Sequence, residues 1–283
     1  MPHIATLTLA LAAALAANFA IAADAPEALV TPGTPAAQAA SIDAVLAGNW
    51  RSQENKARDP YRHPKQTLAF FDIHPGQTVV ELVPGGGWYA EILAPYLKDH
   101  GHYVAAIVKP QNSPSEVADY KSRLLKKFAD DPAHYAKADV VEFDGKAPVF
   151  GPPASADAVL TFRNVHNWIG NGDAEAMFKA MFAVLKPGGT LGVVEHRAKP
   201  DSTLAQSKDS GYLPVDAVIK LATGAGFTLA AQSEINANPK DTKDYPKGVW
   251  TLPPALTLKE IDRDKYLAIG ESDRMTLKFV KPR

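Results

Sequence analysis

The stretch that decides the fold is VVELVPGGGWYAEILAPYL, residues 79–97. A β-rich run with an acid near its end, Glu81, meets the three glycines 85–87, and the aromatic pair Trp88 and Tyr89 then opens an apolar helical pattern. A turn without side chains lets backbone N–H groups and a helix N-terminus approach a ligand closely. The stretch therefore predicts a polar ligand at the glycines. A tight strand-to-helix turn with no ligand is the alternative.

Similar β-rich runs and helical patterns alternate along the chain. The predicted strands cover residues 78–83, 102–108, 138–143, 156–162, 190–196, 228–235 and 274–282. The helical patterns cover residues 41–58, 65–71, 88–97, 113–128, 173–185 and 213–227. Strands that alternate with helices form a parallel sheet through right-handed crossovers. We therefore predict an α/β protein with a Rossmann-like, doubly wound, seven-stranded, mostly parallel sheet and helices on both faces.

The N-terminal segment differs in composition from the rest. Residues 4–23 are apolar and rich in alanine, and the segment contains the small-x-small pattern of Ala20 and Ala22. This pattern predicts a signal peptide over residues 1–22, export to the periplasm, and no stable membrane insertion after cleavage. A membrane anchor is the alternative, because about twenty apolar residues can span a bilayer.

Two further parts follow the predicted signal peptide. Residues 23–40 read as a low-complexity linker. Residues 41–283 form the predicted domain, which begins with a helical flap. Within this domain, residues 236–272 make a connection longer than a hairpin needs, so we expect an insertion that folds over the sheet edge.

Charge and cysteine content exclude several classes of protein. Thirty basic and thirty-one acidic residues leave a formal net charge of −1. No long block of like charge occurs, so a nucleic-acid-binding or acidic-membrane-binding surface is not predicted. The chain has no cysteine. Disulfides, thiolate metal sites and a lipid-modified cysteine are therefore excluded, which suits an exported protein.

Residues 78–282 resemble the class I S-adenosylmethionine-dependent methyltransferases. The first motif of that family, an acid followed by a glycine-rich turn, is similar to the sequence from Glu81 to Gly87. A family signature, a helix that ends in L-K-P-G-G before a strand, matches residues 185–189, and a late A-G-F turn matches residues 225–227. The resemblance implies the family's fold, methyl transfer and S-adenosylmethionine as the cofactor.

The resemblance also implies roles for individual cofactor-binding residues. Gly85, Gly86 and Gly87 would border the methionine part of the cofactor. Glu81 would orient their loop through hydrogen bonds. Asp144, after the third predicted strand, matches the position that contacts the adenine amino group. A turn aspartate before glycine is the alternative for Asp144.

The segment after the fourth predicted strand supplies the candidate catalytic residues. The same resemblance implies that three of these residues, Phe162, Arg163 and Asn164, face the transferring methyl group. It assigns Phe162 to cofactor binding and the other two to catalysis. His166 follows them. An imidazole with a pKa of about 6.5 is a workable general base at neutral pH, so His166 is the candidate base. A capping or loop histidine is the alternative.

No metal site is predicted. The histidines show neither H-x-x-x-H nor H-E-x-x-H spacing, and no acid-rich triplet resembles a calcium loop. Glu195 and His196 follow the fifth predicted strand. We expect one of the two to point into the cleft, with a salt bridge on its rim as the alternative.

The sequence departs from the family at two positions. Val83 stands where the first motif has its first glycine. Ile107 or Val108 ends the second predicted strand, where the family has an acid that holds both ribose hydroxyls. Loss of a charge-assisted hydrogen bond costs about 1.5–3 kcal/mol, or about ten- to a hundred-fold in affinity. Gln111 or Asn112 could substitute for that acid.

Two other functions stay open beside methyl transfer to a small-molecule acceptor. Gly85, Gly87 and Ala90 fit the dinucleotide pattern G-x-G-x-x-A, and Lys109 could meet a phosphate of NADP, which would indicate an NAD(P)-dependent oxidoreductase. A periplasmic binding or interaction protein that retains the fold without catalysis is the other. A small acceptor is favoured because neither a basic face nor an added recognition domain is visible.

Overall fold

One sheet runs through the domain. The computed structural model describes residues 40–109, 115–207 and 209–283. The strands are β1 (Thr78–Leu82), β2 (His102–Val108), β3 (Ala138–Phe143), β4 (Ala156–Phe162), β5 (Leu185–His196), β6 (Thr228–Ser233) and β7 (Arg274–Val280). Their order is β3-β2-β1-β4-β5-β7-β6, and β7 is antiparallel to both of its neighbours. The predicted signal peptide, the linker up to residue 39, and Gln111 and Asn112 lie outside the described residues.

Helices precede the sheet and connect its strands. They are α1 (Ile42–Ala47), α2 (Gln53–Lys56), α3 (Asp59–Arg62), α4 (Pro64–Phe70), α5 (Ala90–Leu97), α6 (Ser115–Asp130), α7 (Pro132–Tyr135), α8 (Val165–Asn171), α9 (Ala174–Val184), α10 (Leu204–Ser207), α11 (Val215–Gly224) and α12 (Arg263–Ile269). The predicted seven-stranded α/β fold is confirmed. No helix of the described ranges is both long and apolar enough to cross a membrane.

Hydrophobic clusters cover both faces of the sheet. One strand contributes to both clusters because successive side chains of a strand point to opposite faces. Val79 packs into a cluster with α1 and α5, whereas its neighbour Val80 packs into a cluster with α8, α9 and α11. Both valines are buried. The run of apolar residues in β1 therefore fills two hydrophobic layers at once, as expected for a central strand of a parallel sheet.

Two predicted boundaries differ from the structure. The helix before the LKPGG segment ends as expected, with Leu185 as its C-cap, but β5 begins at residue 185 and not at 190, with an irregular register against β4. Its backbone finds partners near the C-terminus, since the Gly188 N–H donates to the Lys281 carbonyl at 2.8 Å. The helical pattern of residues 41–58 breaks after α1, and Ser52 caps α2 through the Asn55 N–H at 3.1 Å.

Residues 236–272 lie across the carboxyl-end edge of the sheet, where β4 and β5 end and β7 begins. The segment contains a 3-10 helix, Gly248–Thr251, and α12. The Asn236 amide ties it to α4 and β7, because Nδ2 donates to Thr67 Oγ1 at 3.1 Å and to Thr276 Oγ1 at 3.0 Å. The segment thus contacts the edge at which ligands of such sheets bind.

Candidate functional site

The glycine turn follows β1, the strand at which the strand order reverses: β2 is the neighbour of β1 on one side and β4 on the other. A Cβ atom built on Gly85 or Gly86 would meet no other atom within 4 Å. A Cβ on Gly87, in contrast, would lie 2.8 Å from Leu124 Cδ1 on α6, and Gly87 has a φ of +83°. Packing therefore requires glycine at 87. At 85 and 86 the backbone borders open space, as a turn that receives a ligand must.

Val83 is unusual at the start of this turn. Its φ is +49°, in the left-handed region that β-branched residues avoid. Its N–H donates to the Ala106 carbonyl of β2 at 2.8 Å, which holds the residue in place. Such backbone strain costs about 1–3 kcal/mol and is typical of functional turns. Val83 therefore adopts a conformation that glycine would adopt without strain.

Glu81 is buried beneath the turn. The Tyr103 hydroxyl of β2 donates to Glu81 Oε2 at 2.7 Å. Burial raises the pKa of the Glu81 carboxyl to about 7, although the Tyr103 hydrogen bond and the nearby Arg163 and Arg62 oppose this rise. The resemblance implied hydrogen bonds from Glu81 to the glycine loop. The structure instead joins Glu81 to β2, so its side chain supports the floor of the site.

A pair of stacked rings bridges the glycine turn and the end of β4. The Tyr89 and Phe162 rings have centroids 3.6 Å apart and an interplanar angle of 11°. Both side chains are buried, and Trp88 packs edge-on against Tyr89 at 4.7 Å. Sequence reasoning noticed the aromatic pair but gave Tyr89 no role. The structure places it beside Phe162, where the resemblance puts the methyl group.

The two residues that follow Phe162 differ in the hydrogen bonds of their side chains. Asn164 is buried, and its Nδ2 donates to the Leu82 carbonyl at 2.9 Å and to Thr161 Oγ1 at 3.1 Å. Its amide therefore ties β4 to β1. Arg163 has a φ of +60°, and its guanidinium makes no hydrogen bond or ion pair with any described residue. Of the two, only Arg163 has free donors for a ligand.

His166 is held by a buried carboxylate. Its Nδ1 lies 3.0 Å from Glu195 Oε1, which also accepts from the His196 N–H at 2.8 Å. Glu195 Oε2 accepts from the Val165 N–H at 2.7 Å and the His166 N–H at 3.3 Å. The contact between His166 Nδ1 and Glu195 assigns the imidazole proton to Nδ1 and leaves Nε2 of the same ring as the acceptor. The arrangement is that of an oriented general base.

His196 completes a cluster that sequence spacing did not reveal. Ligand atoms of His166, Glu195 and His196 all lie within 4.8 Å of one another, so the three could hold a metal ion. Four hydrogen bonds already occupy the Glu195 oxygens. Burial and then the neighbouring His166 lower the pKa of His196 well below its usual value, and its Nδ1 lies 2.6 Å from Ser272 Oγ. The cluster is therefore better suited to proton transfer.

The ends of β2 and β3 offer fewer polar groups. Asp144 Oδ1 accepts from the Lys146 N–H at 2.9 Å, which is the hydrogen bond of a turn aspartate. Ile107 is buried at the end of β2, and Val108 beside it is partly buried. Neither can bind ribose hydroxyls. The candidate substitutes, Gln111 and Asn112, are outside the described residues.

Three arginines, of which Arg62 and Arg274 are buried, surround the acid that precedes β7. Arg58 and Arg62 contact Glu271 at 2.6 Å and 3.0 Å, and Arg274 pairs with the same carboxylate. Burial raises the pKa of Glu271, but these arginines and Arg163 overcome that effect and hold the pKa well below its usual range. Of this group the sequence predicted a role only for Arg163; the pairing with Glu271 could not be read from the sequence, because Arg58 and Glu271 are 213 residues apart.

Comparisons with known proteins agree with this architecture. No protein-family model and no curated protein sequence matches the chain. A SAM-dependent methyltransferase from Aquifex aeolicus is 13% identical, with a TM-score of 0.54 over 85% of this chain and 98% of that one. CrArsM, an arsenic(III) S-adenosylmethionine methyltransferase from Chlamydomonas reinhardtii, is 14% identical, with a TM-score of 0.50 over 86% and 73%. The 4+2 cyclase SpnF is 15% identical, with a TM-score of 0.56 over 83% and 85%.

The chain has the class I methyltransferase fold. Within this fold, the carboxyl-end edge of β1, β4 and β5 brings together most of the predicted site residues. These are Glu81, Gly85, Gly86, Gly87, Phe162, Arg163, Asn164 and His166. Asp144 lies apart from them, after the edge strand β3.

Proposed function

We propose that the chain binds S-adenosylmethionine at the glycine turn and transfers its methyl group to a small-molecule acceptor. The observation that carries this proposal is the open space in front of Gly85 and Gly86, which a Cβ atom would enter without touching the protein. That space lies at the end of β1, where sheets of this order bind ligands. The methyltransferase structures of the same fold support the choice of cofactor.

The chain's own groups would align the acceptor and remove its proton. S-adenosylmethionine supplies an electrophilic methyl group on a sulfonium sulfur. Nε2 of His166 accepts the proton that the acceptor loses, and Glu195 keeps the imidazole in the required tautomer. Phe162 and Tyr89 form an apolar wall that excludes water from the cleft. Charge on the acceptor therefore develops beside an oriented base.

Calorimetry of the full chain tests the cofactor. The ligands are S-adenosylmethionine, S-adenosylhomocysteine, NAD and NADP, and the variant is Gly86→Val. Gly86 does not have a left-handed φ, and a Cβ atom built there meets no other atom within 4 Å. A valine therefore fills the space in front of the turn without disturbing the fold. Gly224→Val is the matched control, because Gly224 is equally open but lies at the end of α11.

We expect S-adenosylhomocysteine to bind the parent and the control, and to lose at least about tenfold in affinity in Gly86→Val, equivalent to about 1.4 kcal/mol. Equal affinity in all three proteins would reject the site. Tighter binding of NAD or NADP than of S-adenosylhomocysteine would favour an NAD(P)-dependent oxidoreductase over a methyltransferase as the function.

A non-catalytic binding protein with this fold is the second candidate. One observation favours it. The end of β2 carries Ile107 and Val108, neither of which can bind the ribose hydroxyls of the cofactor. Binding of S-adenosylhomocysteine without methyl transfer from S-adenosylmethionine to any added acceptor would support this candidate.

Export is also a proposal, supported by the alanine-rich residues 4–23 and by the absence of cysteine. The test is expression of the full chain in a bacterium, followed by fractionation and mass spectrometry. A periplasmic product that begins at residue 23 is expected. A full-length product in the cytoplasm would contradict export.

A further inference from the structure

Three arginines pair with a single carboxylate beside the cleft, and a fourth interacts with it electrostatically. Arg58 and Arg62 reach Glu271 from the flap helices at 2.6 Å and 3.0 Å, and Arg274 reaches it from β7. Arg163 comes from the end of β4, and its guanidinium has electrostatic contact with Arg274, Glu271 and Arg58. Glu271, Arg62 and Arg274 are each no more than 3% exposed. Solvent therefore has little access to these three charged side chains.

The donors of this group exceed its acceptors. Arg58 Nη2 is buried and has no hydrogen-bond partner among the described residues. The whole Arg163 guanidinium also lacks one. Burial, followed by the repulsion of Arg274, lowers the pKa of Arg163 to about 10. The other nearby acid, Glu81, has a pKa raised to about 7 by burial and supplies only part of a charge at neutral pH. Arg58 Nη2 is therefore a buried donor whose desolvation an anion would offset. Arg163 is partly exposed, so its donors are accessible to the same anion.

We propose that these arginines, with Arg163 as the principal contact, bind the carboxylate or phosphate group of the methyl acceptor, so that the acceptor is an anionic small molecule. The inference rests on the proposed function. Guanidinium groups suit this role because their planar donors match both carboxylate and phosphate oxygens.

The sheet order places the arginines on the acceptor side of the cleft. The glycine turn follows β1, and Arg163 follows β4, its neighbour. Arg274 and Glu271 stand at the start of β7, beyond β5 and therefore further from the turn. His166, the proposed base, lies between these positions at the start of α8. An acceptor that contacts Arg163 would thus place its reactive atom near both the methyl group and the base.

The test measures how anions stabilise the protein in Arg163→Gln. Thermal unfolding of the full chain is followed with inorganic phosphate or benzoate, at constant ionic strength with chloride as the reference, with and without S-adenosylhomocysteine. A ligand that binds only the folded state raises the unfolding temperature according to its affinity. Arg263→Gln, at the start of α12 outside the cluster, is the matched control.

We expect phosphate or benzoate to bind the parent and Arg263→Gln, and to bind Arg163→Gln at least about tenfold more weakly, as expected for a lost charge-assisted contact. The affinity of S-adenosylhomocysteine should change less than about threefold, or about 0.7 kcal/mol. Without ligand, Arg163→Gln should unfold at a higher temperature than the parent, because the substitution removes repulsion from Arg274.

Three outcomes would overturn the inference. The first is equal anion binding in Arg163→Gln and Arg263→Gln. The second is a weakening of S-adenosylhomocysteine in Arg163→Gln that 5′-methylthioadenosine does not share, since the anion would then be the cofactor's own carboxylate. The third is a lower unfolding temperature for ligand-free Arg163→Gln with unchanged anion binding. If the parent binds no S-adenosylhomocysteine, the proposed function fails, while anion binding that depends on Arg163 would still support the pocket.

Discussion

The Glu81 carboxyl makes the stability of this protein depend on pH. Burial raises the pKa of Glu81 from 4.5 to about 7 in the folded protein. Between these two pH values the folded state holds a proton that the unfolded state has released. Stability therefore falls as pH rises through this interval, by about 3 kcal/mol once the buried group is fully ionised.

Glu81→Gln removes that dependence without removing the hydrogen bond, because the amide oxygen can still accept from the Tyr103 hydroxyl. Urea unfolding of the parent and the variant at about pH 4.5 and about pH 8 measures the effect. We expect the stability of Glu81→Gln relative to the parent to increase by about 3 kcal/mol between the two pH values. The same substitution at Glu175, which is exposed on α9, controls for the loss of a carboxylate. A difference between Glu81→Gln and the parent that does not vary with pH would refute the reasoning.

Three further predictions concern other parts of the site. Gly87→Ala should lower the free energy of unfolding by about 1–3 kcal/mol, because a Cβ there meets α6 at 2.8 Å and φ is +83°, whereas Gly86→Ala should change it by less than about 0.5 kcal/mol. Urea unfolding distinguishes the two, and equal losses would contradict the different roles of these glycines. Glu271→Gln should lower the free energy of unfolding by about 3–5 kcal/mol at neutral pH, because it leaves buried guanidinium groups unpaired. Since the pKa of Glu271 is held below its usual value, this contribution should shrink progressively as pH falls below about 4.5, and a penalty equal in acid and at neutral pH would be inconsistent with it. Long-range ¹H–¹⁵N NMR should show neutral His166 protonated at Nδ1, through its contact with Glu195, and a proton at Nε2 would disprove the assigned orientation.

Local sequence patterns predicted most of the architecture. The seven strands and their alternation with helices follow from short apolar runs between turn residues, and each run is readable within about ten residues. The glycine turn was visible for the same reason, since Gly85 and Gly86 belong to one continuous stretch. The end of the helix before the LKPGG segment was predicted correctly, but the start of β5 was placed too late, because the backbone partner of Gly188, Lys281, lies near the C-terminus and is invisible to local periodicity.

The sequence by itself determined the fold class, the position of the glycine turn and the edge of the sheet that carries the site. Tertiary structure alone decided which side chains meet there. Glu195 orients His166 from 29 residues away, and Glu271 gathers Arg58 from 213 residues away. The physical reason is range: hydrophobic periodicity acts within one element, whereas ion pairs and hydrogen bonds between strand ends depend on the order in which the strands assemble.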